Sequence, residues 1–183
     1  MDPARKWELE KKVSDGVRLA HDDGCALAEC DDLSWLGRLA HGRRAGRYGD
    51  RVTFVIGGPV LAPAPTDVDR LLGAAAEAYL PEPAASPAES LRGFALARLL
   101  LDDGVHIAAS LPLHGTALAQ LALNFGADDL VCPADANRED VVNLIWDAGL
   151  RPVERDAGYA VVRDYDPPVP LAERRAEPQR IWA

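Results

Sequence analysis

The chain has 183 residues, a length that suits one domain with a single core. A hydrophobic fraction of 48% and a charged fraction of 27% are those of a globular protein and exclude general disorder. A formal net charge of −9 favours solubility and argues against a nucleic-acid-binding surface, which needs a basic field. One local exception is the run Arg38, Arg43, Arg44, Arg47 and Arg51 with His41, read as a solvated helix end or, alternatively, a site for an anion or acidic partner. No apolar run approaches the ~20 residues that cross a bilayer, and the charged N-terminus MDPARKWELEKK has no signal-peptide core. The expectation is a cytoplasmic protein that touches no membrane. Cys25, Cys30 and Cys132 are odd in number and widely placed, which argues against a disulfide framework.

In chain order, residues 7–20 mix Trp7, Val13, Val17 and Leu19 with charges and read as a helix ending in a turn at Asp15-Gly16. Asp22-Asp23-Gly24 opens a second helix and Asp31-Asp32 caps a third, with Leu33, Leu36, Leu39 and Ala40 at helical spacing. The first fifty residues are therefore a helical lead-in. Residues 51–56 (RVTFVI) form a continuous β-branched and aromatic run that stops at Gly57-Gly58, as a buried parallel strand does. Residues 59–65 are too proline-rich for regular structure. Residues 66–80 are expected to form one amphipathic helix, with Val68, Leu71, Leu72, Ala75, Ala76 and Tyr79 on one side. A Pro/Ala linker at 81–87 leads to an apolar helix at 91–101. A strand at 106–111, a helix at 115–125, a short strand at 129–132 and a helix at 137–148 follow. The alternation predicts an α/β fold with a small, mainly parallel sheet of three strands. Residues 151–155 and 159–165 add a C-terminal β-hairpin. The expected organisation is one α/β domain over 1–166 and a Pro- and charge-rich tail over 167–183, with Ile181-Trp182 as an anchor.

Metal and nucleotide chemistry find little purchase. The four histidines show no metal-ligand spacing. No G-x-S-x-G elbow accompanies Ser90 or Ser110, and the Gly57-Gly58 turn is followed by prolines rather than by a helix start. Sites in parallel α/β folds form at the carboxyl ends of strands. Ser110, His114, Cys132 and Asp135 would share that rim, as ligand-binding residues or as ordinary turn and cap residues. Asp128-Asp129 lie at the opposite end of their strand, where a structural role is expected.

The segments FALARLLLDDGVHI (94–107), LAQLALNFGADDL (118–130) and LIWDAGLRPVERDAGYAVVRDY (144–165) resemble the C-terminal third of the aminofutalosine synthase family. These are radical S-adenosylmethionine enzymes of the futalosine route to menaquinone. VSDGVRLAHDDGCALAECDDLSWLGRLAH and RYGDRVTFVI are similar to that family's helical lead-in and first barrel strand. The resemblance implies a remnant of a TIM-type barrel, keeping strands one, seven and eight. It also implies an iron–sulfur cluster on a C-x-x-x-C-x-x-C loop, but the corresponding stretch GGPVLAPAPTDVDR has no cysteine. Ala108, Ser110 and Leu111 stand where the family presents lysine, tyrosine and tryptophan. No cofactor and no catalytic residue are therefore expected. A truncated barrel would leave two sheet edges bare unless a helix, the hairpin or another chain covers them, which argues for a homodimer or a protein partner of the menaquinone route. Two further readings stay open: a small-molecule sensor that keeps part of the old pocket, and new chemistry with His114 as acid or base beside Asp135.

Overall fold

The helices begin where short polar side chains meet the first free N–H groups. In the computed structural model, which describes residues 1–58 and 61–166, Asp2, Asp32, Asp67, Ser86 and Asn137 each accept a backbone N–H of the turn that follows. They open α1 (Pro3–Ser14), α3 (Leu33–Tyr48), α4 (Val68–Gly73), α5 (Pro87–Leu100) and α8 (Arg138–Asp147). Helix α2 (His21–Ala28) starts differently, with the Asp23 carboxylate taking the Ala20 N–H at 2.9 Å. Asp23 also binds Arg5 and Lys12, which ties α1 to α2.

Seven strands form one sheet in the order β2-β3-β4-β5-β1-β6-β7. They are β1 (Arg51–Ile56), β2 (Pro63–Ala64), β3 (Ala78–Pro81), β4 (His106–Ser110), β5 (Asp129–Cys132), β6 (Arg151–Arg155) and β7 (Val161–Asp164). Every neighbouring pair is parallel except β6–β7, which is the expected antiparallel hairpin. The fold is thus the expected α/β type, a mostly parallel sheet with flanking helices and a helical N-terminus. It is consistent with a barrel remnant, because β5 lies against β1 as strand eight of a barrel lies against strand one.

Three details differ from the sequence reading. The helix expected over 66–80 stops at Gly73, and Ala78–Pro81 becomes β3, paired to His106 and Ile107 of β4. Burial of Tyr79 and Leu80 outweighs the helical spacing of an alanine-rich run. Pro63–Ala64 adds a two-residue strand at the sheet edge, where a missing N–H is tolerated. A short helix, α6 (Leu111–His114), follows β4 directly, and Gly115 (φ +75°) separates it from α7 (Thr116–Leu123), the helix expected over 115–125. The sheet therefore has six parallel strands rather than three. The outer side of β4 is covered by β3 and β2, and the outer side of β1 by β6 and β7. One edge of the three-strand set is thus covered by the hairpin, as the sequence allowed, and the other by two strands that it did not announce. The tail with Ile181-Trp182 lies outside the described residues.

The core lies between the sheet and the helices packed on it, with Leu36, Phe54, Phe94, Leu99, Ile107, Leu130 and Ile145 fully buried. Each such side chain contributes about 1.5–3 kcal/mol relative to exposure. Gly37 lets α3 approach Phe125, whose ring carbons would lie 2.6 Å from a Cβ at that position. Among the described residues no helix is long and apolar enough to cross a membrane.

Candidate functional site

The two ends of the parallel sheet differ in chemistry. At the amino end, the FGADD segment supplies two fully buried carboxylates. Asp128 accepts from Arg98, from the Ile107 N–H at 2.8 Å, and contacts His106 Nδ1 at 2.6 Å. Asp129 receives Arg155 through two bonds, Nε–H at 2.7 Å and Nη2–H at 2.5 Å, and Thr53 Oγ1–H at 2.7 Å. The Tyr159 ring stacks on His106 at 4.0 Å and lies under the Arg155 guanidinium at 3.9 Å. Burial, then the Asp129 charge, pushes the Tyr159 phenol up, so it stays neutral. Each charge in this cluster is matched at short range by a partner from another strand or helix. The cluster fastens β4, β5 and β6 together, the structural role expected of Asp128-Asp129.

At the carboxyl end a cavity of about 510 Å³ opens over β1, β3, β4 and β5. Its wall is mostly apolar, with Leu61, Leu80, Leu113, Val131 and Pro133 prominent. Two of the four sequence candidates, Ser110 and Cys132, line it. Among the described residues Ser110 Oγ makes no hydrogen bond, which leaves it as a polar handle in an apolar wall. Cys132 is buried; its thiol is pushed up to about 12 by desolvation and then by the Asp129 charge. At pH 8 it is therefore a neutral, non-nucleophilic thiol. Iodoacetamide at that pH should modify half-buried Cys25 and spare buried Cys30 and Cys132 until urea unfolds the chain. Equal labelling of Cys132 in the native state, read by mass spectrometry, would contradict this picture of the wall.

The other two candidates lie outside the cavity wall. His114 accepts the Ser110 N–H on Nδ1 at 3.1 Å and donates Nε2–H to Pro81 O at 3.0 Å, with its edge against Phe94. Both ring nitrogens are engaged with backbone, and burial holds the imidazole below its usual range. It clamps the end of β3 to the end of β4 in the neutral form. Asp135 is exposed in the loop after β5 and makes no hydrogen bond or ion pair with His114 among the described residues. The pair is not brought together. Gly57, with φ +67°, donates its N–H to Cys132 O at 3.1 Å and closes β1 onto β5 rather than facing a phosphate. The wall residue Leu80 could not be found from sequence, because its strand is hidden within a helical pattern.

No family model matches the chain. It is 38% identical over 113 residues to aminodeoxyfutalosine synthase of Streptomyces coelicolor, a match that covers 53% of this chain and 29% of that enzyme. It is 37% identical over 101 residues to cyclic dehypoxanthine futalosine synthase of the same organism, covering 47% of this chain and 25% of the relative. The chain is a partial relative of these two synthases. It matches well under a third of either one's length. The iron–sulfur cluster implied by the radical enzymes does not fit the residues present. Such clusters need thiolates, and residues 57–73, after β1, contain no cysteine. Cys132 is buried and neutral. Among the described residues no group of three His, Cys, Asp or Glu side chains is placed to hold a metal ion.

Proposed function

We propose that the protein is a non-catalytic relative of the radical synthases, acting in menaquinone metabolism by holding a small apolar-bodied molecule at the carboxyl end of its sheet. The cavity over Ser110 and Cys132 carries this reading. Its volume of about 510 Å³ falls in the range of small-molecule sites, and it sits where parallel α/β folds place ligands. An apolar wall with the Ser110 hydroxyl as the free polar handle among the described residues favours a molecule with a single hydrogen-bonding group. Among the described residues neither thiolate ligands nor a free acid–base pair lines the cavity, which supports a binding role over the chemistry of the radical synthases. The test is binding of a neutral fluorescent probe such as N-phenyl-1-naphthylamine. Leu113 is 40% exposed at the cavity wall, so Leu113→Arg should fold normally while placing a charge in the mouth. Affinity for the probe should fall about tenfold or more, or ≥1.4 kcal/mol, with the melting temperature nearly unchanged. Equal affinity in the variant would refute the assignment.

A second reading, association with a homodimer mate or a menaquinone-route enzyme, is favoured by β7. This strand forms one edge of the sheet, and it carries Val161 and Val162, 54% and 62% exposed. Exposed edge strands pair with other chains unless blocked.

A further inference from the structure

The arginine run of α3 surrounds a second cavity, about 570 Å³, between α3 and the end of α1. Successive helix residues turn by about 100°. Arg38 and Arg47, nine positions apart, therefore stand on opposite flanks of one half of α3, with Leu39, Gly42 and Gly46 between them as a floor. Val13 of α1 supplies an apolar wall. The two acids at the rim are already engaged: Glu10 accepts from Trp35 Nε1, and Asp103 accepts from Arg43 Nε at 2.9 Å. Arg43 also donates to Leu99 O at 2.8 Å. Arg38 and Arg47 are exposed and make no hydrogen bond or ion pair among the described residues. Both cations stand beside an apolar floor in a chain of net charge −9, the Arg38 charge also acting on the Asp32 carboxylate.

The glycines add an independent observation. A Cβ at Gly42 or Gly46 would meet nothing within 4 Å, and neither has a positive φ. Glycine inside a helix is less stable than alanine, and here neither packing nor backbone conformation demands it. What the missing side chains do is keep the floor open between the two arginines.

We propose that this groove binds a small molecule that carries a phosphate or carboxylate on an apolar body, with the oxyanion held by Arg38 at one flank or Arg47 at the other and the body laid on Gly42 and Gly46. Guanidinium groups are suited to both oxyanions through paired N–H donors. The site is separate from the cavity at the sheet end and does not depend on it. Calorimetric titration with phenyl phosphate and with benzoate tests the proposal, and the tighter of the two names the oxyanion. Phenol, which lacks the charge, should not bind. Arg38→Ala/Arg47→Ala, at two exposed positions that make no hydrogen bond among the described residues, should keep the fold and weaken binding about tenfold or more. Gly42→Ala/Gly46→Ala should raise the melting temperature by roughly 2–6 °C and still weaken binding, because two methyl groups fill the floor. Absence of binding by both anions at millimolar concentration, or affinities unchanged in either double variant, would overturn the proposal.

Discussion

Asp129→Ala should destabilise the protein by about 3–5 kcal/mol, the usual consequence of stranding one member of a buried ion pair. Asp129 is fully buried and its carboxylate is the double acceptor for Arg155, itself 3% exposed. Without it the guanidinium keeps, among the described residues, the Asp156 carbonyl at 2.8 Å and the face of Tyr159. Thr53 Oγ1 loses its acceptor on the same carboxylate, so the β1–β5 contact loosens as well. For a chain of this size the loss corresponds to a fall in melting temperature of roughly 10 °C. Urea titration measures it directly through the midpoint. Asp129→Leu combined with Arg155→Met should be far milder than Asp129→Ala alone, because two apolar side chains leave no unpaired charge. A loss under about 1 kcal/mol for Asp129→Ala would mean that water reaches Arg155 and that the cluster does not fasten the strands.

Gly126→Ala should also be severe, through backbone and packing rather than charge. Gly126 has φ +104°, a conformation that L side chains rarely adopt. A Cβ there would lie 2.6 Å from Arg98 Cβ and 3.0 Å from Arg98 Cγ. Arg98 cannot retreat, since it is buried and held by the Gly126 carbonyl at 2.8 Å and by Asp128. Strain of about 1–3 kcal/mol and overpacking of similar size give an expected loss of about 2–5 kcal/mol in urea denaturation. Gly104→Ala is the internal control. It has no positive φ and nothing within 4 Å of its Cβ, and should stay within about 0.5 kcal/mol of the parent. Similar losses at both glycines would show that the tight fit to Arg98 is not what constrains position 126.

These two residues also show what sequence reading can reach. The FGADD and PVERD segments carry the resemblance to the radical synthases, and in space they meet as one structural clamp, Asp129 on Arg155. They report shared architecture at the amino end of the sheet and say nothing of chemistry at the carboxyl end. Strands such as β1 (Arg51–Ile56) are legible because a continuous β-branched run has only one common destiny, a buried parallel strand. Tyr79-Leu80-Pro81 is not, because Leu71, Leu72, Ala75, Ala76 and Tyr79 continue a helical period, and only pairing with β4 tips the segment to a strand. Pro63-Ala64 is hidden by its proline, and the parallel pairing of β6 with β1 leaves no local mark at all.

The site was legible to the same depth. Ser110 and Cys132 follow from their position at strand ends, and both line the cavity. Leu61, Leu80 and Leu113 look in sequence like ordinary loop and helix residues, and only the sheet order gathers them. His114 resembles an acid–base residue by type and place. The two backbone groups that occupy its nitrogens come from positions 81 and 110, the first of them on a strand that the sequence does not announce.

The measurement that bears most directly on the proposed function is a two-dimensional amide NMR titration of the isolated chain with a neutral apolar ligand. Binding at the sheet end should move the amides of Ser110, Leu113 and Cys132 in proportion to occupancy, with Val161 and Val162 unmoved and the tumbling time that of a 19.7 kDa monomer. Unmoved cavity amides, together with doubled tumbling time and exchange broadening confined to Val161–Asp164, would contradict it and assign the protein's role to the β7 edge.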